Sequence, residues 1–214
     1  MRSVPFHSGL RPILAAGLLA AAAAGSAGCR HRSEIPDPGI PYASSTASEK
    51  LSTFVFKEEG RLYLMTVGVN ATRFHDQDPF IPLTVVLVNK TTKPLQLHRE
   101  SFTLVEPVSG ARYGLAGVEE VRRQGKMSYD AQLMDLDHLA TKLDIYQRIP
   151  ANFFPGAGTG VIHDNLELHQ FQYMLNNIYF PRPEGELLGR TFELHVEGRG
   201  LEEPIFVVFT VPEK

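Results

Sequence analysis

The sequence contains a single cysteine, no tryptophan and no excess of basic residues. One cysteine excludes an intramolecular disulfide and any zinc site built from several thiolates. The 21 Lys and Arg residues are outnumbered by 24 Asp and Glu residues, which gives a formal net charge of −3. Because nucleic-acid-binding proteins usually present a basic surface, nucleic acid is not an expected partner. Hydrophobic residues form 43% of the 214 residues, enough for one packed domain.

Signatures of catalysis are also missing from the sequence. It has no Gly-x-Ser-x-Gly nucleophile motif. The glycine-rich residues 155–160 lack the Lys-Ser/Thr ending of a phosphate-binding loop, so we interpret them as an adaptable turn. Histidines stand beside carboxylates at His75-Asp76, Asp137-His138 and His163-Asp164, but without the spacing of a specific metal site. We therefore expect no enzyme activity, no cofactor and no metal.

The first 28 residues are typical of a signal peptide. Arg2 and Arg11 form a basic start, and residues 12–28 then carry no charge. This run is shorter than the roughly 20 strongly apolar residues that a membrane-spanning helix needs, and it ends in small residues. We therefore assign residues 1–28 to a signal peptide and exclude them from the fold.

The cysteine lies at the end of this segment, in Ser26-Ala27-Gly28-Cys29. The sequence resembles the lipobox of bacterial lipoproteins, in which the thiol receives a diacylglyceryl group and the chain is cut before the cysteine. The family usually has Leu three places before the cysteine, where this chain has Ser26. The resemblance implies lipidation at Cys29 and a membrane as partner. Secretory cleavage after Ala27 and an uncleaved anchor are the alternatives.

Residues 29–50 are predicted to be a flexible linker that follows the lipidated cysteine. They contain Pro36, Pro38 and Pro41 and then a run of Ser and Thr, so they offer few apolar groups to bury. The folded domain is expected over residues 51–214.

Short runs of alternating polar and apolar residues dominate residues 51–214. The strands predicted most clearly are 51–58, 62–69, 80–89, 190–197 and 204–211. In 190–197, alternation places His195 and Glu193 on the exposed face. Residues 89–94 are predicted to be a turn. Short strands at close spacing, without alternating helices, favour an antiparallel β-sandwich.

A helical insertion is expected between these strands, at about 117–183. Leucines at three- and four-residue spacing predict an amphipathic helix over 128–146 that packs on the sandwich. Residues 117–124 are predicted to form a shorter helical turn. Residues 151–189 give no clear secondary-structure signal. This insertion is also where an alternative function, an envelope enzyme or a metal-binding protein using His and carboxylate groups, would have its site.

Aromatic residues in the second half of the insertion are the candidates for a binding surface. Phe153, Phe154, Tyr179 and Phe180 stand near prolines and could form a groove for a glycan or an envelope protein. The alternative is that they pack the insertion onto the sheet.

Residues 81–106 and 187–211 resemble a group of small, uncharacterised bacterial lipoproteins with an immunoglobulin-like sandwich. In those lipoproteins, as in this chain, a hydrophobic strand ends in an Asn-led turn, and a Phe-x-Leu-Val sequence opens the next strand. In this chain the turn begins at Asn89 and the next strand at Phe102. The resemblance implies an immunoglobulin-like antiparallel β-sandwich with a cell-envelope address. The expected protein is lipid-anchored on the periplasmic face of a bacterial membrane, more often the outer one, and has a non-catalytic binding or structural role. Fold alone does not fix that role.

Overall fold

A computed structural model describes residues 48–124, 143–154 and 161–213. The mainly β fold predicted from the sequence is confirmed: strands outnumber helices, and most pairings are antiparallel. The strands are β1 (Glu49–Ser52), β2 (Val55–Glu59), β3 (Tyr63–Gly68), β4 (Phe80–Asn89), β5 (Leu95–His98), β6 (Phe102–Val105), β7 (Arg112–Gly114), β8 (Gln147–Arg148), β9 (Asn165–Leu168), β10 (Gln172–Pro181), β11 (Thr191–Val196) and β12 (Ile205–Thr210). The helices are α1 (Asn70–Phe74), α2 (Val118–Gln124) and a 3-10 turn at Arg99–Ser101.

The strands form three sheets. A six-stranded sheet has the order β1-β2-β3-β4-β10-β8, a four-stranded sheet has the order β12-β11-β6-β7, and β5 pairs with β9. Only the short β8–β10 pairing is parallel among the strands that the structure describes. The ten-residue strands β4 and β10 pair along their whole length, from Phe80↔Pro181 to Asn89↔Gln172. This long pairing forms the centre of the larger sheet.

The main hydrophobic core lies between the six-stranded and four-stranded sheets. Strand β12 contacts β2 and β3 of the larger sheet. Phe56 on β2 and Phe209 on β12 bring their ring centres to 6.3 Å, and Phe209 also contacts Phe192 on β11. Burial of such large side chains contributes about 1.5–3 kcal/mol each to stability. The two sheets are thus joined as layers of one sandwich-like core.

A smaller core covers the opposite face of the six-stranded sheet. It contains Val55, Leu64, Val86 and Val88, together with Leu143. Because β4 is buried on both faces, every one of its residues is buried, which explains its nearly continuous apolar sequence.

One prediction about the insertion needs correction. The predicted insertion includes residues 172–181, but these residues form β10, an interior strand of the larger sheet. Asn176 and Asn177 interrupt the apolar sequence pattern of this strand and lower its β-propensity. The structure compensates for both: Asn176 is buried and bonded to the backbone of Ala151 and Phe153, while Asn177 accepts a hydrogen bond from Thr84.

Other local predictions have mixed outcomes. The short helical turn at 117–124 is confirmed by α2, and the turn at 89–94 is confirmed between β4 and β5. The amphipathic helix over 128–146 lies outside the described residues except for 143–146, which contain no helix. The signal peptide, Cys29 and most of the linker also lie outside them. The immunoglobulin-like topology stays a prediction. No helix in the described ranges is long and apolar enough to cross a bilayer.

A glycine turn fixes the end of β11 against β5. Gly200 has φ +107°, and a Cβ atom there would lie 2.4 Å from the carbonyl oxygen of Pro94. Arg199 and Gln96 exchange two backbone hydrogen bonds beside it, at 2.9 and 3.1 Å. The Tyr63 hydroxyl donates a hydrogen bond to the Gly200 carbonyl, so this turn also holds the start of β3.

Candidate functional site

The four aromatic residues predicted as a binding surface are buried. Phe153, Phe154, Tyr179 and Phe180 all belong to the main core. Phe154 packs edge-on against Tyr179, with ring centres 5.0 Å apart. A buried side chain cannot line an open groove, so this interpretation is corrected. The alternative, that these residues pack the region onto the sheets, agrees with the structure.

Arg99 holds the segment that contains Phe153 and Phe154 against its neighbours in the fold. Its guanidinium donates hydrogen bonds of 2.6 Å to the carbonyls of Phe153 and Ala116, and it lies 4.4 Å from the centre of the Phe154 ring. Burial lowers the pKa of Arg99 from its usual value, against the opposing effect of Asp164 and Glu100. No sequence pattern predicts this role. An arginine between two short strands is more often a solvated residue, and its acceptors are backbone groups far along the chain.

Glu193 and His195 form a buried pair on β11. Alternation predicted both on an exposed face, but the structure buries both, which corrects that expectation. The imidazole Nε2 of His195 and the carboxylate of Glu193 are 2.8 Å apart, and the His195 ring lies 5.6 Å from that of Phe206 on β12.

The remaining histidine–carboxylate neighbours occupy separate parts of the surface. His75 Nδ1 lies 2.6 Å from Asp78, and His169 lies 3.4 Å from Glu167. These two pairs are at opposite ends of the six-stranded sheet. Within residues 48–124, 143–154 and 161–213, no three His, Cys, Asp or Glu side chains are placed to hold a metal ion. His138 and the glycine-rich residues 155–160 lie outside those ranges.

A cluster of ion pairs lies at the end of β2. Glu59 contacts Lys90 at 2.7 Å and Lys57 at 3.0 Å, and Lys57 contacts Glu49 at 2.8 Å. Hydrogen bonds from Lys90 and Lys57 lower the pKa of Glu59 to about 2. The hydrogen bond to Glu49 is the main cause that raises the pKa of Lys57.

Three exposed apolar residues lie on neighbouring loops at one end of the six-stranded sheet, near these ion pairs. Leu62 is 40% exposed, Ile145 is 79% exposed and Phe171 is 52% exposed. Backbone hydrogen bonds join their loops: Lys90 donates to Leu62, Phe171 donates to Asn89, and Gln147 donates to Phe171. The Phe171 ring contacts that of Tyr146 at 6.3 Å. We call Leu62, Ile145, Tyr146 and Phe171 the apolar tip.

Backbone geometry at the apolar tip is unusual. Phe171 has φ +61°, the only positive φ of a non-glycine residue in the described part of the chain. A bulky side chain in the left-handed region is disfavoured by about 1–2 kcal/mol. The chain therefore accepts backbone strain here while it exposes an aromatic ring to solvent.

Comparison with known proteins gives one structural likeness. The crystal structure of a "putative lipoprotein (ycdA)" from Bacillus subtilis subsp. subtilis str. 168 is similar to this chain with 10% sequence identity and a TM-score of 0.37. The likeness covers 72% of this chain and 38% of that chain, so the present chain spans well under half of the other protein's length. No protein-family model and no curated protein matches the sequence.

Proposed function

We propose that this chain is a lipid-anchored protein of the bacterial cell envelope with a non-catalytic role in binding or in structural support. The observation that carries the proposal is the sequence Ser26-Ala27-Gly28-Cys29 after a short uncharged segment. Acylation of Cys29 would add chains whose burial contributes roughly 0.8 kcal/mol per CH₂ group, and two or three chains make membrane binding stable.

The use of buried and half-buried polar side chains supports a non-catalytic role. Asn89, Asn176 and Arg99 all bond to backbone groups of neighbouring loops. These bonds hold the loops to the sheets. Catalytic groups more commonly converge in a cleft with a reactive side chain directed toward it.

The proposed location is the periplasmic face of a bacterial membrane, with the outer membrane favoured over the inner one. The partners are the membrane, through the lipid on Cys29, and an envelope protein or a glycan. Neither nucleic acid nor a cofactor is part of the proposal.

Mass spectrometry of the mature amino terminus tests the anchor. We expect a chain that begins at Cys29 and carries a diacylglyceryl group and an acylated amine. An unmodified chain beginning at Gly28 would contradict the proposal. Crosslinking in the native envelope then tests the role: a reproducible partner supports it, whereas recovery of the protein alone at every concentration argues against an assembly role.

A second candidate is an enzyme or metal-binding protein, and the buried Glu193–His195 pair is the observation that favours it. This pair lies on β11, outside the insertion where the sequence placed such a site. Turnover of a substrate that is lost in His195→Gln but kept in His169→Gln would support this candidate over the first.

A further inference from the structure

The apolar tip is built from loops that meet at one end of the six-stranded sheet. Leu62 precedes β3, Ile145 and Tyr146 precede β8, and Phe171 precedes β10. Phe74, another exposed aromatic residue, lies in α1 between β3 and β4 and therefore at the opposite end of the same sheet. The chain thus offers exposed phenylalanines of similar accessibility, 52% and 57%, at its two ends.

The chain enters the domain at the same end as the apolar tip. Strand β1 runs antiparallel to β2, with Glu49 opposite Lys57. The Ser48 hydroxyl donates a 3.3 Å hydrogen bond to Glu58, one residue before β2 ends and turns toward Leu62. Residues 30–47 separate this entry point from Cys29. If they behave as the flexible coil that their composition predicts, they span about 21–25 Å.

Two lysines near the tip have partners of opposite sign. Lys90 is paired with Glu59 at 2.7 Å, and Lys93 lies 3.6 Å from Glu202. Exposed Arg61 and Asp144 adjoin Leu62 and Ile145 in the sequence, so the tip is an apolar surface bordered by charges of both signs. Such a surface favours contact through burial of apolar area over electrostatic attraction to anionic headgroups.

We propose that the apolar tip inserts into the headgroup region of the bilayer that holds the lipid on Cys29. This inference rests on the proposed function, because the lipid brings the domain to the membrane. The entry point at Ser48 lies at the same end of the domain as the tip, which favours contact of that end with the membrane. Apolar side chains of surface-bound proteins enter the boundary between headgroups and acyl chains by about 5–10 Å. The contact gives the domain a fixed orientation, with α1 and Phe74 directed away from the membrane.

The absence of tryptophan from the chain makes a direct test possible. The full chain is purified from membranes as Phe171→Trp and, as the matched control, as Phe74→Trp. Intact mass establishes lipidation of each variant, and far-UV circular dichroism establishes that each is folded. Both are reconstituted into phosphatidylethanolamine and phosphatidylglycerol vesicles with and without brominated acyl chains, and tryptophan emission is recorded.

We expect the tryptophan of Phe171→Trp to emit at shorter wavelength in vesicles and to be quenched by brominated lipid, at low and high salt alike. The tryptophan of Phe74→Trp should be neither shifted nor quenched. Adding Ile145→Asp to Phe171→Trp should reduce the quenching, because a charge in the tip opposes insertion.

Three other outcomes would contradict the inference, and the measurements distinguish them. If the lipidated Phe171→Trp variant is not quenched, the tip does not enter the bilayer, although the anchor stands. If both variants are quenched equally, the domain has no preferred orientation on the bilayer, and the inference fails. An unquenched tip would then be a candidate surface for a protein partner. If intact mass shows no lipid, the proposed function fails, and the tip proposal fails with it.

Discussion

The guanidinium of Arg99 lies 4.4 Å from the centre of the Phe154 ring. The contact joins the short helical turn after β5 to the segment that follows β8. Because the same guanidinium also bonds to the carbonyls of Phe153 and Ala116, one side chain connects three segments that are distant in sequence. The aromatic residues that the sequence marked for binding are held in the core partly by this arginine.

Replacement of Arg99 by lysine should destabilise the domain. A single lysine ammonium cannot take the place of both guanidinium nitrogens that donate to the two carbonyls, so one buried carbonyl loses its charged donor. We expect the free energy of unfolding to fall by about 1–3 kcal/mol in Arg99→Lys. Urea denaturation measures this change. Arg148→Lys, at an exposed position on β8, is the control and should change stability little; equal stability of both variants would contradict the role given to Arg99.

Asn89 should be sensitive to truncation. Its side chain is buried, donates to the carbonyls of Lys93 and Leu168, and accepts from the backbone and hydroxyl of Thr91. Asn89→Ala leaves these groups without their partner, and we expect a loss of about 3 kcal/mol. Thermal unfolding measures the loss. Asn165→Ala, at an exposed position on β9, is the control, and a comparable loss there would contradict the prediction.

Gly200 should not accept a side chain. Its φ of +107° is disfavoured for L-residues, and an added Cβ would lie 2.4 Å from the Pro94 oxygen. We expect Gly200→Ala to lower stability by at least about 2 kcal/mol, measured by urea denaturation. At Gly114, a Cβ would meet no atom within 4 Å. Gly114→Ala should therefore be tolerated, and a similar cost at the two glycines would show that close approach at Gly200 is not the cause.

The ion pairs of Glu59 should make stability depend on pH in the acid range. The pKa of Glu59 is lowered from 4.5 to about 2 by hydrogen bonds from Lys90 and Lys57. A carboxylate with a lowered folded pKa contributes stability above its unfolded pKa and loses it as pH falls. We therefore expect this contribution to disappear between pH 4.5 and about 2.

Comparison of two variants isolates the effect. Glu59→Gln should be less stable than the unmodified chain at neutral pH, and the difference should shrink as the pH falls through this range. Glu197→Gln makes the same charge change at an exposed position after β11. Thermal unfolding at a series of pH values gives both profiles. A constant difference between Glu59→Gln and the unmodified chain at all pH values would refute the prediction.

The fold could be predicted where local pattern and burial agree. The apolar sequence of residues 80–89 belongs to a strand buried on both faces, and the polar run after it forms the predicted turn. Strand β10 could not be predicted, because Asn176 and Asn177 weaken its local signal. Their burial depends on partners at Ala151, Phe153 and Thr84, which only the folded chain brings near.

Predicting the candidate site from sequence was harder. Alternation correctly placed Glu193 and His195 on the same face of β11, but it cannot tell which faces of a strand are covered. Aromatic composition pointed to Phe153 and Phe154, yet large aromatics are also the residues that contribute most to a core. Conversely, Phe171 gave no periodic signal, because its importance lies in exposure and in a backbone angle that sequence patterns do not report.

The strain at Phe171 leads to a prediction that separates stability from function. Glycine adopts a φ of +61° without steric cost, but it loses more backbone entropy on folding, by about 0.5–1 kcal/mol. Since relief of the left-handed strain is worth about 1–2 kcal/mol, Phe171→Gly should be more stable than the unmodified chain by about 0.5–1 kcal/mol. Its melting temperature should rise by about 1–3 °C.

Membrane contact should change in the opposite direction. Phe171→Gly removes the largest exposed side chain of the apolar tip, so less apolar area can enter the bilayer. In an Ile145→Trp background, Phe171→Gly should weaken quenching by brominated lipid while raising thermal stability. A chain that is stabilised without losing quenching would show that Phe171 is strained for another reason. A chain that is destabilised would show that the ring's contact with Tyr146 outweighs the strain.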